Sequence, residues 1–101
     1  MEPLDEEMKV RWLANAQREL EAELERIAAE NEEAAVALAD LLHERTERLA
    51  KFPDMGRRGM VDGTRELVIE RYPYIVPYRV KDNVVEILRV FHTSRKPPTS
   101  W

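Results

Sequence analysis

His92 is the histidine of the C-terminal half, and it stands among cations and rings: Arg57, Arg58, Arg65, Arg71, Tyr72, Tyr74, Arg79, Arg89 and Arg95. Such a set suits a phosphodiester. Arginine grips phosphate oxygens with a two-pronged fork, and aromatic rings stack on unpaired bases. Cleaving RNA without a metal requires removal of a 2′-hydroxyl proton, stabilisation of charge on the phosphorane and protonation of the leaving oxygen. Histidine is the side chain suited to the proton steps, and arginine to the charge step. His92 with Arg71, Arg89 and Arg95 can supply these roles, and Glu66 or Glu70 is an alternative base.

Each of these residues also has a plainer reading. A histidine at a strand end is commonly a hydrogen-bonded structural residue. Arg89 lies inside an apolar run and can pair with Glu86, Glu66 or a helix acid. Tyr78 shares a face with Val76 and Val80 and is expected in the core. Arg57 and Arg58 are loop charges, open to solvation or to phosphate contact. His43 is expected at the surface or in an interface.

The elements that must position these groups follow from hydrophobic period. Met8 to Leu13 alternates polar and apolar and predicts a short opening strand. From Ala14 the spacing turns helical: Ala16, Leu20, Leu24, Ile27 and Ala28 recur on one stripe, with Glu19, Glu21, Glu23 and Glu25 assigned to the outer face. Asn31 is a cap or turn, and Glu32 and Glu33 then fall in the first turn of a second helix, where the helix dipole favours acids. That helix carries Ala35, Leu38, Leu41, Leu42, Leu49 and Phe52, and Pro53 is expected to end it. Two amphipathic helices joined this closely predict an antiparallel hairpin.

Residues 53–63 read as a turn-rich basic loop. Beyond it the period becomes two. Arg65 to Ile69 is one strand. Tyr74 to Val80 is a second, in which Pro77 implies a bulge or an edge. Asp82-Asn83 is a tight turn. Val84 to Phe91, apolar on both parities except at Glu86 and Arg89, predicts a central strand buried on both faces. The tail from Ser94 to Trp101 is irregular. The order β-α-α-β-β-β, a helical hairpin on a small, mostly antiparallel sheet, is an α+β fold.

Length and composition bound the rest. A chain of 101 residues is expected to form a single domain, residues 1–7 being an ill-ordered extension and Met8 a candidate natural start. No apolar run approaches the ~20 residues of a membrane span, and the acidic N-terminus lacks the apolar core of a secretory signal. With no cysteine, a disulfide framework and a thiolate nucleophile are excluded, and a reducing cytoplasm is the expected location. Two histidines far apart have no metal-ligand spacing, so no cofactor is expected. The net charge of −4 conceals an asymmetry: residues 1–33 hold 11 acids against 4 bases, and residues 57–101 hold 5 acids against 9 bases. A basic C-terminal surface suits a polyanion or an acidic protein.

Three stretches carry a resemblance: Gly63 to Ile69, Tyr74 to Val80, and Val85 through Glu86-Ile87-Leu88-Arg89-Val90-Phe91-His92-Thr93-Ser94 to Arg95. Together they resemble the C-terminal half of the RelE/ParE superfamily, toxins of bacterial type II toxin–antitoxin systems. The tryptophan-bearing opening strand, the helical hairpin and Phe52-Pro53-Asp54-Met55-Gly56 are also similar, so the likeness covers nearly all of residues 8–98. It implies a growth-arresting toxin neutralised by a tightly bound, usually acidic-tailed antitoxin, with which it can form a toxin–antitoxin hetero-oligomer. One branch of the superfamily cleaves mRNA in the ribosomal A site, and the other poisons DNA gyrase without nuclease activity.

His92 falls where some ribosome-dependent members place a catalytic histidine, Arg71 close to an arginine of the third strand, and Arg95 close to one after the last strand. On this likeness His92 is general acid or base, Arg71 and Arg95 are phosphate clamps, and Arg65 is a further catalytic cation. Arg57, Arg58, Tyr74, Arg89 and Lys96 form the nucleic-acid-binding set, Tyr74 by stacking. The departures are Thr93 where those nucleases carry tyrosine, Tyr74 where some carry arginine, and arginines in place of loop lysines. Residues 92–95 also resemble gyrase-directed relatives. Metal-independent cleavage of ribosome-bound mRNA is the expectation slightly favoured, ahead of gyrase poisoning and of a partner-binding module or inactive relic.

Overall fold

The computed structural model describes residues 7–101, so most of the expected N-terminal extension lies outside the described residues. The chain opens with β1 (Lys9–Trp12), followed by α1 (Ala14–Ala28) and α2 (Glu32–Glu47). It continues through β2 (Arg57–Arg58), β3 (Arg65–Ile69), β4 (Tyr74–Lys81), β5 (Val84–Ile87) and β6 (Phe91–His92). Strand order across the sheet is β1-β5-β4-β3-β2, with β6 pairing to β4. Among the described residues β1 and β5 run parallel and the other pairings are antiparallel. The α+β architecture matches the hydrophobic pattern.

The hairpin is set by local chemistry at its turn. Asn31 has extended backbone and its side-chain oxygen accepts from the Ala34 amide at 3.0 Å, satisfying one of the free N–H groups that open a helix. Glu32 and Glu33 occupy the first turn behind it. Asn31→Ala is expected to lower stability by about 1 kcal/mol, read from urea unfolding; an unchanged midpoint would show that the cap contributes nothing.

The helices cover one sheet face. Ala16, Leu38, Leu42 and Leu49 pack in one cluster with Leu67, Ile69, Tyr74, Val76, Tyr78, Val85, Ile87 and Val90. Those within strands sit at alternate positions, 67 and 69, 74 to 78, and 85 and 87, as the pleat demands, while Val90 lies between β5 and β6. The second helix is shorter than its apolar stripe suggested: α2 stops at Glu47, a 3₁₀ turn spans Arg48–Ala50, and Phe52 is 55% exposed. Thr46 contributes, because its hydroxyl bonds back to the Leu42 carbonyl at 2.8 Å and the His43 carbonyl at 3.1 Å, an arrangement that weakens a helix locally. Pro53 then bars the helical region to Phe52.

The expected bulge at Pro77 is present, the register slipping by one residue between Tyr78↔Ile87 and Ile75↔Phe91, and it also divides the last predicted strand. Pro77 lies buried inside β4, which is central in the sheet and not an edge. Its carbonyl accepts from the Leu88 amide at 2.9 Å, so its missing N–H points to the same side, toward residues 88–90. Those residues cannot complete a ladder there, and the run expected as one strand from Val84 to Phe91 divides into β5 and β6. Nor is β5 buried on both faces: Val85 and Ile87 are buried while Val84 and Glu86 are half-buried. The loop at 53–63 also holds a strand that periodicity did not reveal, β2, which pairs with β3. Asp82 and Asn83 have φ of 53° and 64° and form the expected tight turn.

Candidate functional site

The sequence-predicted residues divide into two groups along β4. At its first residue, Tyr74 lies opposite His92 of β6, and their rings meet edge to face at 5.2 Å and 82°. Helix α1 passes above this point. The Tyr74 hydroxyl donates to Glu23 Oε1 at 2.5 Å and accepts from Arg26 Nη2 at 3.2 Å, while Arg26 binds the same carboxylate oxygen at 2.7 Å. Arg95, on the tail after β6, brings its guanidinium to 3.7 Å from the other Glu23 oxygen. His92, Tyr74 and Arg95 therefore converge, joined by two residues of α1.

The electrostatics lock this group. Burial raises the pKa of Glu23, but the Arg26 and Tyr74 hydrogen bonds and the two arginine charges outweigh it, leaving the carboxyl below its ordinary range. Burial, then the bond to Glu23 and its charge, push the Tyr74 hydroxyl up to about 12. Tyr74 is thus held as a neutral donor. His92 Nδ1 accepts from the Ser94 amide at 3.1 Å and lies 2.7 Å from the Ser94 hydroxyl. A backbone N–H can only donate, so in the neutral ring the proton belongs on Nε2.

The remaining candidates lie elsewhere. Arg89 is held by Glu19 through contacts of 2.6 to 3.0 Å from Nε and Nη2, and the second task of Glu19 is to accept from the Val90 amide at 2.9 Å. Arg57 binds the buried Glu66 at 2.8 and 3.0 Å. Arg65 is opposite Tyr78, four register steps from the Tyr74–Ile69 pair and so about 13 Å along the sheet from His92, at ~3.3 Å per residue. Arg58, Arg65 and Arg79 line a groove of about 500 Å³ at that end. Arg71 sits in the turn before Tyr74 with φ of 75°, a left-handed conformation uncommon for its type. Lys96 is exposed in the tail, and neither it nor Arg71 has an ion-pair partner among the described residues. No three of His, Asp and Glu converge as a cation site among the described residues.

Glu19, Glu23 and Arg26 are site residues that sequence reasoning missed; the glutamates were assigned to the solvated outer face, yet Glu23 is only 8% exposed. A signal existed. Ala16, Leu20, Glu23 and Ile27 are spaced 4, 3 and 4 apart, so Glu23 occupies a core position of the helical stripe.

Comparison with known proteins agrees with this architecture. A family model described as the ParE toxin of the type II toxin–antitoxin system parDE matches residues 10–97. Y4kP of Sinorhizobium fredii, named as a toxin candidate, is 36% identical over 90 residues, covering 89% of this chain and 93% of that protein. Among solved structures, a chain of the chromosomal ParDE toxin–antitoxin system from P. aeruginosa superposes with a TM-score of 0.77 at 28% identity, covering 84% of this chain and 95% of that one. A chain of the RelBE2 toxin–antitoxin complex from Mycobacterium tuberculosis shares the fold, with a TM-score of 0.55, 23% identity and coverage of 88% and 94%. Matched over most of its length by the family model and by a relative of nearly equal extent, the chain belongs to the ParE toxin family of type II toxin–antitoxin systems, within the RelE/ParE superfamily.

Proposed function

We propose that this protein arrests growth by binding DNA gyrase when free of a cognate antitoxin, and that it does not cut RNA. The superfamily likeness offers two targets, and the match to ParE together with the 28% identity to a ParDE-system chain supports the gyrase branch. The observation that carries the choice is the state of His92. Its Nδ1 is taken by the Ser94 amide, leaving Nε2–H as a donor. Tyr74, beside it, is a donor to Glu23 with its hydroxyl pushed up to about 12. Glu23 itself is buried and occupied by Tyr74 and Arg26. His92, Tyr74 and Glu23 therefore offer hydrogen-bond donors but no free base among the three to remove the 2′-hydroxyl proton, a step that RNA cleavage needs.

The second reading, a ribosome-dependent endonuclease, draws support from the convergence of His92, Tyr74 and Arg95. Purified protein with and without His92→Ala separates the two. Gyrase poisoning predicts that supercoiling is inhibited and that the substitution changes this less than about twofold. Cleavage of mRNA on programmed ribosomes, lost in His92→Ala, would overturn the proposal, as would normal supercoiling at saturating protein.

A further inference from the structure

The sheet face turned away from the helices carries a patch of charge at its β1 edge. Val10 and Trp12 of β1 pack against the core that holds Val85 and Ile87 of β5. Lys9 and Arg11, at the alternate positions, are therefore exposed on the far face. Register extends this pattern across three strands. Lys9 is opposite Val84, which is opposite Lys81, and Arg11 is opposite Glu86, which is opposite Arg79. Lys9, Lys81, Arg11 and Arg79 thus stand at the corners of a rectangle around Val84 and Glu86. With strands ~4.8 Å apart and ~3.3 Å per residue, its sides measure about 10 Å and about 7 Å between Cα atoms.

The charge of this rectangle is unbalanced. Arg79 Nε donates to Glu86 Oε1 at 2.7 Å, whereas Lys9, Arg11 and Lys81 have no ion-pair partner among the described residues. Glu7 is turned to Lys51 at 3.9 Å, and Asp82 stands in the adjoining turn. Glu86 registers the cations around it. A hydrogen bond from Arg79, opposed by burial and joined by the charges of Arg79, Lys81 and Arg11, holds its carboxyl below the ordinary range. The overall charge of −4 is not spread evenly: Glu21, Glu25, Glu32 and Glu33 belong to the helical hairpin, on the other side of the sheet.

The make-up of the patch chooses its ligand. Its one apolar member, Val84, is half-buried, so the apolar centre of a protein–protein interface is missing. No aromatic side chain stands in either row, so nothing there can stack on an unpaired base. A duplex backbone is gripped by charge alone and needs neither. Three hydrogen-bonded strands also hold the cations on a rigid support, which keeps the ordering cost of binding low.

We infer that this face of β1, β5 and β4 binds the phosphodiester backbone of a nucleic-acid duplex, with Lys9, Arg11 and Lys81 each neutralising a phosphate and Glu86 limiting the affinity. The site lies away from the His92 group and does not depend on gyrase being the target, so the two readings fail separately. Full-length protein is titrated with labelled duplex DNA, with duplex RNA of the same sequence and with a polyglutamate peptide of equal charge, across a salt series. Three neutralised phosphates predict a log–log salt slope of about −2.7, which is a loss of about 40-fold in duplex affinity between about 50 and 200 mM. Lys9→Gln, Arg11→Gln and Lys81→Gln should each flatten that slope by about 0.9, with circular dichroism showing the fold intact. Glu86→Gln should tighten binding severalfold, and Arg58→Gln, at the opposite edge of the sheet, should leave the slope unchanged. Equal affinity for both duplexes would make the shared phosphates the ligand, and a preference would name DNA or RNA as its source. Unchanged slopes in the Lys9, Arg11 and Lys81 variants, an equal loss in Arg58→Gln, tighter binding of the peptide than of either duplex, or no duplex binding at low salt would each overturn the inference.

Discussion

Tyr78→Ala is expected to destabilise the protein by about 3–5 kcal/mol, the range for removing a fully buried aromatic ring. Tyr78 has no exposed surface and packs in the central cluster between sheet and helices. Its hydroxyl does separate work: it donates to the Pro53 carbonyl at 2.7 Å and accepts from the Gly56 amide at 2.8 Å. One side chain of β4 thereby fastens the loop that carries Arg57 and Arg58. Space there is tight enough that a Cβ on Gly56 would lie 2.6 Å from the Tyr78 ring and hydroxyl. Tyr78→Phe keeps the ring and removes only the fastening, leaving two backbone groups without their partner, so about 1–3 kcal/mol should be lost. Urea unfolding measures both variants, and tryptic cleavage at Arg57-Arg58 reports on the loop. The Phe variant should be cut faster than wild type at equal helical content. Stability within about 0.5 kcal/mol of wild type, with no added cleavage, would show the hydroxyl to be idle.

Glu23 governs the largest effect expected from pH. Its folded carboxyl is harder to protonate than its unfolded one. The stabilisation is therefore complete above the ordinary carboxylate range and is lost as pH falls through the folded value. Tyr74 acts in the opposite direction. Its hydroxyl ordinarily ionises near 10.0 and is pushed up to about 12, so its contribution is whole below 10.0 and disappears as pH rises toward 12. Glu23→Ala should weaken both limbs of the stability profile. At neutral pH it should remove about 1–3 kcal/mol, chiefly by leaving the buried Tyr74 hydroxyl with a poorer partner. The 3–5 kcal/mol typical of breaking a buried ion pair does not apply, because the Arg26 side chain is 61% exposed and water can take over its charge. Unfolding midpoints across pH for the two proteins decide the matter. Superimposable acid and alkaline limbs would show that the cluster does not couple protonation to folding.

These variants also bear on the proposed function. Glu23 joins α1 to β4 through Tyr74 and to the tail through Arg95. Loss of gyrase inhibition in Glu23→Ala with inhibition retained in His92→Ala would make tail placement, and not proton transfer, the property that matters at this end of the sheet.

Much of the architecture could be read from one-dimensional pattern because it depends on neighbours in the chain. The alternation at Lys9–Trp12, the stripes of the two helices, the Asn31 cap and the Asp82-Asn83 turn are each specified within a few residues, by period or by backbone preference. The superfamily likeness was likewise carried by short runs in order. Pro77 signalled a bulge or an edge, and the sheet decides for the bulge. Its effect falls on residues 88–90, which become its neighbours only when β4 and the last segment meet, and no local pattern marks the resulting break.

The candidate site divides in the same way. Residue types alone marked His92, Tyr74, Arg95 and the hairpin arginines as groups able to do chemistry, and left open whether Arg89 would pair with a helix acid. Only the tertiary structure decided that the acid is Glu19, 70 positions away in the chain, and that Glu23 meets Tyr74 across 51. It also placed Arg65 at the far end of the sheet from His92 and set Arg58 opposite Arg65. The physical reason is that a charge's role depends on what solvates or neutralises it, and in a folded chain those partners come from elements distant in sequence.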